Sequence, residues 1–343
     1  MRYKLLGSSG LRVAEVALGT MTFGETWGWG ADKATSQAIF DTYADAGGNF
    51  IDTANIYTDG VSEEFVGEFI ANDRDYFVVA TKYSLTDIRS QSSNPNHGGN
   101  NRKNMMHTVE GSLRRMNTDY IDLLWLHAWD FTTPVEEVLR GMDDLVRQGK
   151  VLYIGFSDTP AWVISRAVTL AEQRGWIRPA AVQLPYSLVR RDPERELLPM
   201  ARALDLAVTP WGTLGGGVLT GKYTSGGSEP TRYSADDVNP ADLAAAEAVG
   251  RIAEAIGASP SQVAINWIRQ QPGILIPIIG ARKVEQITDN LGALDFELTA
   301  EQMQELNSLS DFSLGFPRSF LESDNVRSLI FGQMYDRIDN HRA

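Results

Sequence analysis

A closed α/β barrel of eight parallel strands, each followed by a helix, is the fold class this sequence predicts, and three observations predict it. Short apolar runs alternate with longer segments of helical period eight times along the chain. The runs are apolar almost throughout, as in IDLLWL, which suits parallel strands covered on both faces. No linker, low-complexity tract or repeat of fixed period divides the 343 residues, so eight units closing on themselves are the economical arrangement.

A hairpin opens the chain, with strands expected over residues 3–6 and 11–13 and Gly7 to Gly10 as the turn. The eight barrel strands follow at residues 16–20, 50–54, 77–82, 121–127, 151–157, 181–186, 206–211 and 274–279. Helical period fills the intervals, over residues 33–46, 62–70, 102–116, 134–148, 160–174, 194–204, 240–256, 259–270 and 283–291. Gly47-Gly48, Gly149 and Gly175 supply stop signals for three of these helices. Residues 88–101, rich in Ser, Asn and Gly, and 223–239, rich in Gly, Ser and Asp, read as long loops between strand and helix. The expected layout is one domain over residues 1–343: the N-terminal β-hairpin at 1–14, a (β/α)8 TIM barrel at 15–295 and a C-terminal helical tail at 296–343. Leu306, Leu309 and Leu314 give that tail apolar residues with which to pack against the barrel.

Composition narrows the function. The 44 acidic against 31 basic residues give a net charge of -13, which repels phosphate backbones and anionic lipid, so neither nucleic acid nor membrane is an expected partner. There are no cysteines, which removes disulfides, thiolate metal sites and thiol nucleophiles. The four histidines, at 97, 107, 127 and 341, include no helical i, i+4 pair with a carboxylate partner, so no metal is expected. The first eleven residues lack the apolar run of a signal segment or a membrane span, and a cytoplasmic location is expected. Oligomeric state cannot be read at this level.

In a barrel of this type the active site lies at the C-terminal ends of the strands. Those ends deliver Asp52, with Tyr57 in the loop just beyond it, then Lys82 and His127. A carbonyl oxygen that receives a hydride becomes an incipient alkoxide, which needs a proton donor and electrostatic help. A phenol such as Tyr57 can provide both, and Lys82 beside it is expected to lower its pKa from about 10. Asp52 would keep Lys82 charged and aimed, while a neutral His127 would orient the carbonyl. Singly, each residue has a plainer reading as a cap, a packing aromatic or a solvated charge. Their succession on three strands favours the chemical one.

Several stretches now match a known pattern in order: ALGTMTFG, GGNFIDTANIYTDGVSEEFVGEFI, VVATK, TDYIDLLWLH and IPIIGARKVEQITDN. Over nearly its whole length the chain resembles the aldo-keto reductase superfamily. The resemblance implies an NADPH-dependent oxidoreductase that interconverts a carbonyl and an alcohol, with Asp52, Tyr57, Lys82 and His127 as its tetrad and Tyr57 as general acid in reduction. Stretches such as SDTPAW and DPERELLPMARALDLAVTPWGTLGGGVLTGKY are similar to the aryl-alcohol dehydrogenase and norsolorinic acid reductase branch, which implies aromatic or bulky small-molecule substrates.

No GxGxxG follows the first strand, so a Rossmann site is not supported and an extended cofactor across the barrel mouth is expected instead. By resemblance, Gly19, Thr20 and Met21 would line the nicotinamide, with Asp52 nearby. Ser157, Asp158 and Gln183 would meet its carboxamide, and Trp211 would stack on its ring. Many relatives carry Asn where this chain has Asp158, and an ionised aspartate can only accept. The glycine-rich run Gly212, Thr213, Leu214, Gly215 and Gly217, ending near Lys222, would let backbone N–H groups approach the pyrophosphate. Gly280, Ala281, Arg282, Lys283, Gln286 and Asn290, at a helix start, suit a 2'-phosphate, which favours NADP(H) with NAD(H) as second choice. Gln286 stands where relatives carry a second arginine, so the preference is expected to be modest. Trp27, Trp29, Trp129 and Phe131 are expected walls of an apolar substrate pocket.

Two other readings compete. A redox-sensing regulatory subunit like the potassium-channel β subunits would bind the cofactor with almost no turnover. A barrel using paired carboxylates would draw on Asp52, Asp87, Asp130 and Asp158.

Overall fold

The computed structural model describes residues 1–86, 93–223, 238–309 and 312–339. Asp87, His341, part of the expected loop at 88–101 and most of that at 223–239 lie outside these residues.

The chain begins with β1 (Tyr3–Leu5) and β2 (Arg12–Ala14), an antiparallel pair. Eight strands then pair side by side in parallel: β3 (Ala17–Gly19), β4 (Phe50–Asp52), β5 (Val78–Tyr83), β6 (Ile121–Leu126), β7 (Val151–Ser157), β8 (Ala181–Pro185), β9 (Ala207–Trp211) and β10 (Ile278–Gly280). Strand β10 lies against β3, so the last strand meets the first.

The eighth strand departs from the expected 274–279. Pro277 has no N–H to donate, and the run divides around it. Ile274 and Ile276 exchange backbone bonds with Val208 on β9, while Ile278–Gly280 pair with Ala17–Gly19 on β3. One segment thereby bonds to both neighbours and closes the barrel.

Helices α1 (Lys33–Asp45), α2 (Val61–Ile70), α3 (Arg102–Met116), α4 (Val135–Arg147), α5 (Ala161–Arg174) and α6 (Leu197–Ala203) each follow a strand. Two, α7 (Pro240–Ile256) and α8 (Pro260–Arg269), separate β9 from β10, and α9 (Val284–Leu291) follows β10. Helix α6 starts later than the expected residue 194. Arg191 binds both oxygens of Glu194, and Pro193 lies between them, which folds Asp192–Glu194 into a tight turn before the helix. Strands β5 and β6 are buried at every position, because barrel interior and helix layer cover both faces.

The hairpin closes the N-terminal mouth. Lys4 Nζ donates to the Leu275 carbonyl, the Ala14 N–H to Asn49 Oδ1, and Arg269 pairs with buried Glu15 at 2.6 Å. Beyond the barrel come α10 (Ala300–Ser308), α11 (Arg318–Leu321) and α12 (Asp324–Phe331). Leu306 is fully buried and Leu309 packs on the core, as expected of the tail, but much of the chain past Phe316 is exposed. No helix among the described residues is long and apolar enough to cross a membrane.

Candidate active site

Parallel strands deliver their last residues to one mouth, and the sequence places polar side chains there among apolar ones. Asp52 ends β4, Lys82 is the penultimate residue of β5, and His127 follows β6 directly. Lys82 is fully buried, and its ammonium has three acceptors: Asp52 Oδ1 at 2.5 Å, the Thr53 carbonyl at 2.8 Å and Tyr57 Oη at 3.0 Å. Because Lys82 donates to the phenol oxygen, the Tyr57 hydroxyl keeps its own proton to give elsewhere. The other oxygen of Asp52 accepts from Trp125 Nε1 at 3.0 Å and Gln183 Nε2 at 2.9 Å. Strands β4, β5, β6 and β8 thus converge on one carboxylate.

Burial lowers the pKa of Lys82, but Asp52 and Tyr57 more than reverse this, and the net shift is upward, so the group is an ammonium. For Tyr57 the outcome differs from the expected lowering. Burial raises the phenol, Asp52 adds to the rise, and the opposing pull of Lys82 is insufficient. The carboxylate that holds the ammonium also screens it, so Tyr57 stays protonated above its ordinary range. His127 is lowered to about 3 by burial and by the Lys82 charge, which makes it a neutral imidazole. Its ring lies edge-on to Tyr57 at 6.2 Å.

Three successive residues after Tyr57 are left-handed: Thr58 (φ 48°), Asp59 (φ 61°) and Gly60 (φ 95°). For β-branched Thr58 this conformation is costly. Its hydroxyl offsets the cost by donating to the Phe23 carbonyl at 2.6 Å and accepting from the Ser62 N–H at 3.1 Å. Asp59 accepts from Trp27 Nε1 at 3.1 Å, which ties the turn bearing the phenol to the loop after β3.

These groups face a cavity of about 890 Å³. Gly19, Met21, Trp27, Asp52, Tyr57, His127, Ser157, Asp158, Gln183 and Trp211 all line it, with the run from Gly212 to Gly217 and Gly280. Residues 15–311 match the family model described as the aldo/keto reductase family. An aryl-alcohol dehydrogenase [NADP(+)] of Phanerodontia chrysosporium is 40% identical over 92% of this chain and 87% of its own. A norsolorinic acid reductase of Aspergillus flavus is 38% identical, over 92% of this chain and 83% of its own. An aryl-alcohol dehydrogenase of Pestalotiopsis microspora is 36% identical, over 93% and 85%. The chain belongs to the aldo/keto reductase family.

Within this aldo/keto reductase the cavity suits a dinucleotide on several counts. Ser157 Oγ and His127 Nδ1 are buried without a hydrogen-bond partner among the described residues, although both residues line the cavity. Such atoms call for a polar ligand. Gly212, Gly215, Gly216 and Gly217 are all left-handed (φ 58° to 98°), and a Cβ on Gly212 would meet no protein atom. That leaves backbone bare at the wall. Gly217 lies under the end of the Lys222 side chain, whose ammonium would be 2.8 Å from a Cβ there.

Other expected residues stand back from the cavity wall. Thr20 is fully buried, with its hydroxyl between the Asp52 carbonyl and Ser62 Oγ, so it supports β3 and β4 from behind. Gln286 accepts from the Arg282 N–H at 2.8 Å, just ahead of α9. Asn290 reaches the Gly280 carbonyl, and Ala281 accepts from Thr22 through its carbonyl. The carboxylate of Asp158 accepts from Trp211 Nε1 at 3.2 Å, which orients the indole. Of the expected aromatic walls only Trp27 lines the cavity. Trp29 stacks on it from outside at 5.7 Å, Trp129 packs on the core, and Phe131 is 75% exposed.

Lining residues that the sequence did not single out include Thr22, Ile56, Leu85, Tyr186, Ser187 and Arg190. Tyr186 and Ser187 continue past a strand end and were open to the same reasoning. Ile56 and Leu85 are ordinary apolar residues, and only loop conformation brings them here. The described carboxylates of the paired reading are each engaged elsewhere, Asp52 with Lys82, Trp125 and Gln183, Asp158 with Trp211, and Asp130 with Asn100, Thr132 and Thr133.

Proposed function

We propose that this aldo/keto reductase is an NADP(H)-dependent enzyme that interconverts an aromatic or bulky carbonyl compound and its alcohol, with Tyr57 as general acid in reduction and general base in oxidation. The observation that carries the reading is the hydrogen bond from the buried Lys82 ammonium to Tyr57 Oη, with Asp52 behind it and the phenol on the cavity wall. Bound nicotinamide supplies or accepts the hydride.

The chain's own residues supply the rest. Tyr57 gives its proton to the carbonyl oxygen, and Lys82 stabilises the phenolate left behind. His127, neutral at physiological pH, offers a ring nitrogen to the same oxygen and fixes its direction. Ser157 Oγ takes up the carboxamide, with Gln183 already held by Asp52. Trp211, steered by Asp158, would stack on the nicotinamide. The glycine turn and Lys222 would hold the pyrophosphate, while Arg282, Lys283 and the start of α9 would receive the 2'-phosphate. Trp27 and Leu85 form the apolar wall on which an aromatic substrate rests. The absence of cysteine from the chain suits the reducing cytoplasm.

The test is NADPH oxidation by the purified protein, followed by absorbance, against benzaldehydes, aliphatic aldehydes and polycyclic ketones, with NADH alongside. Turnover on the aromatic members is expected, and Tyr57→Phe should cut it by about 10² to 10⁴-fold while NADPH binding persists. Retained turnover in Tyr57→Phe would remove the role given to Tyr57. Tight NADPH binding without turnover on any member would point instead to a redox-sensing subunit. Trp27→Ala should raise KM for benzaldehydes more than for aliphatic aldehydes, whereas Trp29→Ala and Trp129→Ala should leave the ratio nearly unchanged.

A further inference from the structure

We infer that the C-terminal tail, residues 316–338, is a docking face for a second copy of this chain. The segment carries nine large apolar residues that are 38–85% exposed, among them Phe316 (85%), Phe320 (56%), Leu329 (77%) and Ile330 (58%). Helix α11 buries none of its residues, and α12 buries only Val326. Single exposed apolar side chains need no explanation, but nine in one short stretch whose helices touch, with ring contacts between Phe316 and Phe320 and between Phe331 and Tyr335, mark a contact surface.

The tail is fastened at its base, so the exposure is not that of a loose end. Arg318 Nη1 donates to the Glu194 carbonyl at 2.7 Å, Arg195 Nε to the Ser313 carbonyl at 3.1 Å, and Arg191 Nη1 to the Asn307 carbonyl at 2.7 Å. The guanidinium of Arg195 also lies over the Phe312 ring at 4.8 Å. The Arg318 bond holds the start of the segment on the turn after β8, and the other two hold the chain that leads into it.

Charge and area identify the occupant. Arg318, Arg327 and Arg337 balance Glu322, Asp324 and Asp336, so residues 316–338 are neutral in a chain of net charge -13. Two copies repel one another over most of their surface, and a neutral apolar face is where that repulsion is least. A two-fold contact sets a patch against itself, which a charge-balanced patch tolerates. An anionic membrane would call for an excess of Lys and Arg, which the segment lacks. Aromatic side chains carry about 150–250 Å² each and aliphatic ones somewhat less, so the nine present on the order of 800 Å². One partner in a standard protein interface contributes about that area.

Sedimentation velocity over a dilution series tests the inference. The wild-type protein is expected at twice 37.8 kDa, and the double variant Leu329→Glu, Ile330→Glu at the monomer mass, with its far-UV circular dichroism and NADPH oxidation retained. Trp162→Ser, which removes a 63% exposed tryptophan on α5, should leave the dimer intact. Because the chain has no cysteine, oxidised Leu329→Cys can form a disulfide only between copies. It should cross-link faster than Trp162→Cys, and this readout holds even if the double variant misfolds. A monomeric wild type, including one that floats instead with phosphatidylcholine vesicles, would overturn the inference. So would a dimer whose mass the folded double variant keeps.

Discussion

Tyr57 shows how far a single residue can be read before its surroundings are known. A lysine near a tyrosine suggests a lowered phenol pKa, yet here the same lysine is held by Asp52, and burial sets the sign. The phenol therefore keeps its proton, as the role proposed for it in reduction requires. His127 makes a residue-scale prediction about stability. Folding lowers its pKa from 6.5 to about 3, so between these values the unfolded chain binds the proton and the folded chain does not. Stability then falls as pH drops below 6.5, and nothing is gained above it. Urea unfolding at neutral and mildly acid pH should show a shallower acid loss for His127→Gln than for wild type. An equal loss in both would mean that the imidazole titrates normally in the folded protein.

At the scale of elements, the turn after Tyr57 and the loop after β3 act as one unit. Gly24 (φ +105°) lies so close to Thr58 that a Cβ would sit 2.8 Å from its hydroxyl oxygen and 3.0 Å from its Cβ. Only glycine satisfies both the backbone angle and the space. Gly24→Ala should cost about 1–3 kcal/mol in denaturant unfolding, as an overpacked and strained site does. It should also raise KM for aromatic aldehydes, because the loop carries Trp27. Stability lost without any change in KM would show that loop and turn are not coupled. The sequence places Tyr57 in a loop beyond a strand, but three consecutive left-handed residues follow from the hydrogen bonds of Thr58 to Phe23 and Ser62, which no local pattern encodes.

For the whole molecule, the hairpin plug and α8 share a buried ion pair far along the chain, between Glu15 and Arg269. Arg269 also donates to Asn266 and to the Ala293 carbonyl, so it stays in place when Glu15 is removed. Glu15→Ala leaves a buried guanidinium without its counter-charge, and a loss of about 3–5 kcal/mol in denaturant unfolding is expected. Double replacement of Glu15 and Arg269 by apolar residues should recover part of that loss. If Glu15→Ala is as stable as wild type, the plug does not contribute through this pair.

The order of the βα units, the residues at the strand ends and the family were all legible in the sequence, for a common physical reason. Period and burial alternate locally, and parallel strands send their last residues to one mouth whatever the loops do, so Asp52, Lys82 and His127 could be placed together by counting strands. The eighth strand was legible only as an apolar run, because Pro277 divides its bonds between β9 and β3 in a way that requires both neighbours. The tertiary structure alone decided that Trp27 and not Trp29 or Trp129 faces the cavity, that Trp125 and Gln183 hold Asp52, and that Tyr57 is raised rather than lowered. Each depends on burial and on contacts between residues distant in the chain, and those quantities exist only once the barrel has closed.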